Sequence, residues 1–332
     1  MSQQRAIHSA LASVIDRFVA LKRALGRQFD TGSYRLGRLD RFLASQQPPD
    51  LTAETFSAWC SSLRHLAAST RLGSLMTVYN LCLYRRRTEP GCFLPDPSQF
   101  PPSQPRRAPH IFSESEISRL LAAPEALTPN PLSPLHRQVA RLAVVLLYTT
   151  GLRRGELVKL TLGDYDPKEQ ALFVRDSKFH KSRLLPLSSD AVIEMEQYLV
   201  ERRRPGFPCG GEAPLLLNSH GGLTGYSGGG LGILMRKLFR RAGIRNADGR
   251  PPRVHDLRFT FAIHALLRWY RAGVDVQVCL PALSTYMGHV SIVSTQYYLT
   301  LLEPVTQAAN ERFDLHCSSF LSFDSPEARD VR

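Results

Sequence analysis

The sequence predicts a two-domain protein that is mainly α-helical, with one small antiparallel β-hairpin in its second half. Three observations predict this fold. A length of 332 residues fits about two domains. Apolar residues recur at helical spacing along most of the chain, and seven prolines between Pro90 and Pro109 interrupt that spacing. With 43% hydrophobic and 21% charged residues, the chain has enough apolar side chains to form hydrophobic cores.

Residues 1–90 are predicted to form a helical domain. Apolar side chains follow a helical stripe from Leu11 to Leu21 and a second one from Tyr34 to Leu43. Thr52 precedes an acidic first turn, which is the pattern of a helix N-cap. A further helix is expected from Thr70 to Leu81.

Net charge is the clearest compositional signal. The formal charge is +13 and the isoelectric point is about 9.8, which indicates a polyanionic partner. Residues 1–94 contain 13 basic and 6 acidic residues. The N-terminal domain therefore either lies on a phosphate backbone or is a generic basic bundle.

A membrane is the less favoured partner, because no stretch reaches the ~18 apolar residues that a spanning helix needs. The segment MSQQRAIHSA lacks the apolar core of a signal peptide, so a cytoplasmic protein is expected.

Residues 91–110 are predicted to be a linker, because proline blocks helix continuation and stiffens the chain. A second domain is expected over 111–316 and a tail over 317–332. Ser113 and Glu116 have the spacing of a capping box at the start of that domain.

Within the second domain, residues 172–175 and 183–187 are predicted to form the hairpin. The glycine-rich stretch 221–232 is expected to be a flexible loop; it lacks the G-K-[ST] ending of a nucleotide-binding P-loop. Helical spacing predicts the helices His136–Tyr148, Ala191–Arg203, Gly230–Ala242, His255–Tyr270 and, after a loop, Val293–Leu302.

The cysteines are scattered with no C-x-x-C pair, so no structural metal is expected and reduced thiols are the default. They are Cys60, Cys82, Cys92, Cys209, Cys279 and Cys317. Only six of the 42 basic residues are lysines. A lysine at a position where chemistry needs one is therefore more informative here than in a lysine-rich chain.

Four segments of the second domain together contain the groups that metal-free cleavage of a phosphodiester would need. Planar guanidinium groups match the non-bridging phosphate oxygens, a hydroxyl must attack, and further groups must transfer protons. Taken singly, each residue has an ordinary structural explanation as a surface arginine, a turn lysine, a capping pair or a packing aromatic. The set is Arg153, Lys178, His255, Arg258, His289 and Tyr298.

In their order and spacing these segments resemble the tyrosine recombinase and phage integrase family, whose signature is Arg…Lys…His-x-x-Arg…His…Tyr. The resemblance covers roughly residues 111–315. The second arginine box, which reads HDLRFTFA from His255, departs from the family at Phe259, where a histidine is usual. In the last box a G-H pair contains His289, and Tyr298 follows that histidine by nine residues. The first box is matched by Thr150, Gly151, Leu152, Arg153, Glu156, Leu157 and Asp164.

The resemblance implies that Tyr298 attacks the scissile phosphate and forms a 3′-phosphotyrosine. Arg153 and Arg258 would clamp the non-bridging oxygens. Lys178 would be the general acid, and the two histidines, His255 and His289, would assist proton transfer. Neither a cofactor nor a metal is implied.

The residues around this set are given other roles. Spacing favours Tyr298 over its neighbour Tyr297, and consecutive helical residues point about 100° apart. Lys181 and Arg183 are expected to contact phosphates or solvent and not to be essential to the reaction. Glu156 is expected to hold the Arg153 segment.

The family's architecture implies a two-domain clamp around duplex DNA, made of a helical core-binding domain and an α+β catalytic domain. Its partners would be double-stranded DNA target sites. On DNA the chain would form a tetramer, either with further copies of itself or with related recombinases. The segment after Tyr298 would dock on a neighbouring subunit or pack in cis. Integration or excision of a mobile element is the expected role.

Three alternatives remain at this point. A type IB topoisomerase shares the residue set but would relax any supercoiled plasmid. A catalytically silent DNA-binding accessory protein would bind DNA without cutting it, although silent relatives usually lose one member of the set. A basic RNA-binding protein is disfavoured, because no RNP-like aromatic strand or KH-type loop is visible.

Overall fold

The computed structural model of the chain describes residues 9–103, 107–128, 130–131, 133–175, 182–218 and 223–289, together with Thr295 and Tyr298. It divides into two compact units, Met1–Arg107 and Ala108–Arg332. Within the described ranges, none of the helices combines the length and apolarity needed to cross a bilayer.

The first unit consists of helices around one apolar core. Both predicted stripes form helices, and Phe18 and Leu39 are among the side chains that they bury. The Thr52 hydroxyl accepts a hydrogen bond from the backbone N–H of Thr55 at 3.2 Å, which caps the third helix as predicted. The helices are α1 (Ala12–Ala24), α2 (Asp30–Leu43), α3 (Ala53–Ser62) and α4 (Ala68–Arg85).

The proline-rich segment lies partly on this first unit. Phe93, Leu94 and Phe100 pack against its core, and residues Pro97–Gln99 form a 3₁₀ turn. Aromatic burial therefore attaches the beginning of the segment to the helices before it. The domain boundaries drawn from the sequence stay a prediction.

In its described part, the second unit combines helices with two small antiparallel sheets. Its helices in the described part are α5 (Glu114–Ala122), α6 (His136–Thr150), α7 (Arg154–Leu157), α8 (Ser189–Arg202), α9 (Gly228–Arg241), α10 (Asp256–Arg271) and α11 (Val276–Met287). Its strands there are β1 (Tyr165–Asp166), β2 (Ala171–Val174), β3 (Arg183–Pro186), β4 (Leu217–Asn218) and β5 (Thr224–Gly225).

The strand order of the larger sheet is β1-β2-β3, and Leu172 lies opposite Leu185 in the predicted hairpin. The Ser113–Glu116 capping box is present at the start of α5, as predicted. Helix α6 lies at the centre of the unit, in contact with α8 and α10. Its side chains are buried on nearly every side, including Val139, Leu142 and Leu146. A helix with this burial belongs to the core, and its carboxyl end is thereby held in a defined place.

Helix α11 was not predicted, because the sequence between Tyr270 and Val293 was interpreted as a loop; Pro281 lies inside the helix. The helix forms because Val276, Leu280, Leu283 and Met287 are buried on one face, in the cluster that also contains side chains of α10. Tertiary burial on that face outweighs the backbone hydrogen bond lost at the proline.

The glycine-rich stretch was predicted to be a flexible loop before the helix Gly230–Ala242; the helix is confirmed as α9, but the loop prediction was wrong for part of the stretch. Its described part forms strand β5 and the first turn of α9, where the Ser227 hydroxyl accepts from the N–H of Gly230 at 3.0 Å. The cap and the buried apolar face that follows it compensate for the low helix propensity of glycine. Of the helix predicted over 293–302, only Thr295 and Tyr298 lie within the described residues, and both are helical.

Candidate active site

Arg153 lies at the turn between α6 and α7. Helix α6 ends at Gly151, whose φ of 61° is in the left-handed region that favours glycine. A Cβ at that position would be 2.6 Å from the Phe261 ring, so glycine is needed for space as well. Glu156 then accepts hydrogen bonds from the backbone N–H of Arg153 at 3.0 Å and from its Nη1 at 2.6 Å. As predicted from the sequence, Glu156 holds the Arg153 segment.

Arg258 lies in the first turn of α10 and is only 2% exposed. Its Nη1 donates to the carbonyl of Gly151, and its Nη2 donates to the carbonyl of Met287 at 2.7 Å. Burial, followed by the charge of Arg153, lowers the pKa of Arg258 to about 10. The guanidinium therefore remains charged at neutral pH, and it links the ends of α6 and α11.

The carboxyl end of α11 has the hydrogen bonds of a Schellman motif. Gly288 has a φ of 66°, and its N–H donates to the carbonyl of Thr285 at 3.0 Å. The N–H of His289 donates to the carbonyl of Ser284 at 2.9 Å. These two bonds satisfy two of the carbonyls that every helix leaves unpaired at its end.

Three arginines bind the next three carbonyls of the chain. Arg183 Nε donates to Tyr286 at 2.8 Å, and Arg258 Nη2 donates to Met287 at 2.7 Å. Arg153 Nη2 donates to Gly288 at 2.9 Å. Because a helix carries partial negative charge at its carboxyl end, this end can hold guanidinium groups that would otherwise repel one another.

Tyr298 is 3% exposed and lies between two rings. The His289 ring stacks on it, with centroids 5.8 Å apart and planes 19° apart, and the Phe259 ring meets it edge-on at 5.2 Å. Burial raises the pKa of Tyr298, while Arg258 and Arg153 act in the opposite direction without cancelling it. At neutral pH the hydroxyl keeps its proton, so attack on a phosphate requires a proton acceptor.

The two histidines are in different surroundings. His289 is half-buried, and its Nδ1 lies 2.8 Å from the Thr295 hydroxyl. Burial, followed by the positive charge of Arg258, lowers the pKa of His289 to about 4. His255 is at the N-cap of α10 with its ring 5.3 Å from Phe259, and desolvation and Arg258 lower its pKa as well. Both imidazoles are neutral at pH 7, so each has an unprotonated ring nitrogen.

The structure thus brings five of the six predicted site residues into one region of the second unit. Lys178 lies outside the described residues, and so do Lys181 and Tyr297. Phe259, the position that departs from the family, contacts both His255 and Tyr298. Among the described residues, no group of three His, Cys, Asp or Glu side chains is placed to hold a metal ion.

The prediction that Arg183 contacts phosphates or solvent was wrong. Its side chain is 9% exposed and binds Glu156 and the carbonyl of Tyr286. Motif spacing could not predict this role, because the partners of Arg183 lie 27 and 103 residues away in sequence. The sequence does show a carboxylate at Glu156 beside Arg153, but its second basic partner is visible only in the folded chain.

Comparison with known proteins agrees with this site. A sequence model described as the phage integrase family matches residues 110–303, and the chain belongs to that family. It is accordingly an enzyme of the tyrosine recombinase class, which cuts and rejoins DNA strands.

Two curated relatives and one solved structure illustrate the similarity. The chain is 33% identical to integrase/recombinase y4rB of Sinorhizobium fredii over 92% of its own length and 98% of the relative. It is 33% identical to tyrosine recombinase XerD of Xanthomonas axonopodis pv. citri over 68% of its own length and 69% of the relative. The structure of the Tn1549 transposon integrase has a TM-score of 0.61 at 17% identity, over 90% of this chain and 99% of that one, which shows a shared fold.

Proposed function

We propose that this recombinase serves a mobile DNA element, which it integrates or excises by cutting duplex DNA through a 3′-phosphotyrosine at Tyr298. The observation that carries the proposal is the convergence of Arg153, Arg258 and Tyr298 at the carboxyl end of α11. The similarity to y4rB, over nearly the whole of both chains, supports an integrase role.

In the proposed reaction the Tyr298 oxygen forms a bond to phosphorus, and the bond from phosphorus to the 5′-oxygen breaks. The phenolic proton passes to an acceptor, for which neutral His289 is the stacked neighbour. The leaving 5′-oxygen takes a proton from Lys178, whose role comes from the family resemblance. A 5′-hydroxyl of another strand then attacks the phosphotyrosine and reverses the step. Because the covalent link conserves the bond energy, no nucleotide is consumed.

Arg153 and Arg258 are proposed to bind the non-bridging oxygens as negative charge develops on them. The two carbonyls that Arg258 contacts use two of its five N–H donors, so donors remain for a phosphate. Preorganised donors of this kind typically contribute roughly 10²–10³ in rate each.

Duplex DNA is the proposed partner of both units. The excess of basic residues over 1–94 suits binding to a phosphate backbone. Strand exchange between two sites needs two cutting subunits for each site, so we extend the proposal to a tetramer on DNA, with itself or with related recombinases. The nucleoid would then be its place in the cell.

The test is covalent trapping. Nicked suicide substrates, prepared from the DNA that flanks the gene, are incubated with the wild type, with Tyr298→Phe and with the adjacent control Tyr297→Phe. Wild type and Tyr297→Phe are expected to give an adduct that peptide mapping assigns to Tyr298, whereas Tyr298→Phe binds the DNA and gives none.

An adduct on another residue would contradict the assignment of Tyr298. Binding without any adduct in the wild type would favour the silent accessory protein. Sequence-independent relaxation of a supercoiled plasmid would favour the type IB topoisomerase.

A further inference from the structure

Arg183 joins three parts of the candidate active site. It is the first residue of β3, the second strand of the hairpin. Its Nη2 and Nη1 donate to the two carboxylate oxygens of Glu156 at 3.0 and 3.3 Å, and its Nε donates to the carbonyl of Tyr286 at 2.8 Å. One planar group thus connects the hairpin, the α7 turn and the end of α11.

Glu156 is shared between Arg183 and Arg153. Burial alone would raise the pKa of Glu156, but the hydrogen bonds and charges of Arg183 and Arg153 together outweigh it, and the pKa is held at about 2. The carboxylate is therefore charged at neutral pH. It binds the buried arginine on one side and the more exposed Arg153, 25% accessible at its side chain, on the other.

We propose that Arg183 is a positioning residue for strand cleavage, which acts through Glu156 to fix the Arg153 guanidinium against the scissile phosphate. The inference rests on the proposed function of Arg153 as a phosphate clamp. Arg183 does not touch the phosphate in this account. It orients the carboxylate that orients the clamp.

The geometry requires an arginine. Its fork presents donors in one plane, two toward the Glu156 carboxylate and one toward the Tyr286 carbonyl. A lysine has one ammonium group and cannot occupy all three positions. Space is limited too, because a Cβ at Gly288 would lie 2.7 Å from Arg183 Nη1.

Single-turnover cleavage of the suicide substrate tests the proposal. Arg183→Met is expected to slow cleavage roughly 10- to 100-fold, because small displacements of a clamping group are costly to rate. Arg183→Lys, which keeps the charge, should slow cleavage less than Arg183→Met does. It also provides a second variant if Arg183→Met folds poorly. Thermal melting and DNA affinity are measured for each.

Arg141 offers a matched control. It also makes a two-pronged ion pair with a glutamate, Glu194, and donates to a backbone carbonyl, that of Leu121, but none of these contacts involves the candidate site. Arg141→Met should cleave within about two-fold of the wild-type rate, since distant sites act independently.

A substrate with a methylphosphonate at the cleavage position separates positioning from general destabilisation. Replacing one non-bridging oxygen by a methyl group removes the charge that Arg153 is proposed to neutralise. If Arg183 acts through Arg153, the slowing caused by Arg183→Met shrinks on this substrate, in parallel with that of Arg153→Ala. A purely structural defect would slow both substrates equally.

Three results would overturn the inference. Arg183→Met could cleave at the wild-type rate. It could be slowed equally on the phosphate and the methylphosphonate. A wild type that forms no adduct at all would overturn the proposed function and this inference together, whereas the first two results leave the proposed function standing.

Discussion

Arg258 shows how a single residue combines stability with function. A buried guanidinium loses its hydration, which costs several kcal/mol unless other groups replace the lost water. The carbonyls of Gly151 and Met287 replace part of it. The same two bonds fix the direction of the side chain, so the arrangement that stabilises the charge also prepares it to bind a phosphate.

His289 provides a residue-scale prediction for pH dependence. Its pKa in the folded chain is lowered to about 4 from an ordinary value of 6.5. Between those values the unfolded chain binds the proton and the folded chain does not, so the free energy of unfolding falls as the pH is lowered from about 6.5 toward about 4. Discounting for partial exposure, we expect a loss of about 1 kcal/mol at pH 5 from this residue.

Urea unfolding of the wild type and His289→Gln at pH 7.5 and pH 5 measures this effect. The wild type should lose more stability than the variant over that interval. An equal loss in both proteins would show that His289 titrates normally in the fold.

At the scale of elements, the end of α11 organises the site. Gly288 ends the helix in the left-handed region. The last three carbonyls, those of residues 286–288, accept hydrogen bonds from arginines on β3, on α10 and at the α7 turn. A short length of backbone therefore sets the relative positions of groups from three separate segments.

Gly288→Ala is expected to lower both the stability of the fold and the rate of cleavage. The left-handed backbone costs an alanine about 1–2 kcal/mol, and the new Cβ would lie 2.7 Å from Arg183 Nη1. Cleavage should slow as well, because Arg183 and with it Glu156 must shift. Chemical denaturation and single-turnover cleavage measure the two effects.

Gly243 is the matched control for this substitution. It follows α9, has the same φ of 66°, and nothing lies within 4 Å of an added Cβ. Gly243→Ala should lower stability by about 1 kcal/mol through backbone strain alone and leave cleavage unchanged. Equal effects at the two glycines would contradict the role given to the Arg183 contact.

At the scale of the whole molecule, the charge of +13 is expected to govern the affinity for DNA. Neutralising phosphates releases counterions, so affinity is expected to fall linearly with salt on a double-logarithmic plot. For contacts with roughly 6–10 phosphates, the affinity should fall about 10³- to 10⁵-fold between 50 and 200 mM salt.

Fluorescence anisotropy with a labelled duplex measures that slope. The same titration with Tyr298→Phe should give an unchanged slope, because removing one hydroxyl alters no charge. A slope near zero would exclude phosphate contacts as the main source of affinity.

Much of the molecule is determined by local sequence. The stripes of α1 and α2, the capping box at Ser113 and the hairpin were predicted because periodicity and caps act between residues a few positions apart. The order and spacing of the site residues likewise predicted the family, which needs no knowledge of where the side chains point.

Tertiary structure decided what depends on distant neighbours. Helix α11 forms in spite of Pro281 because one of its faces is buried. Arg183 was predicted to contact phosphates or solvent, yet it is bound to Glu156 and Tyr286. Motifs record the spacing along the chain, whereas a guanidinium binds whichever carboxylate and carbonyl the packing brings within 3 Å, and only the folded chain determines which ones those are.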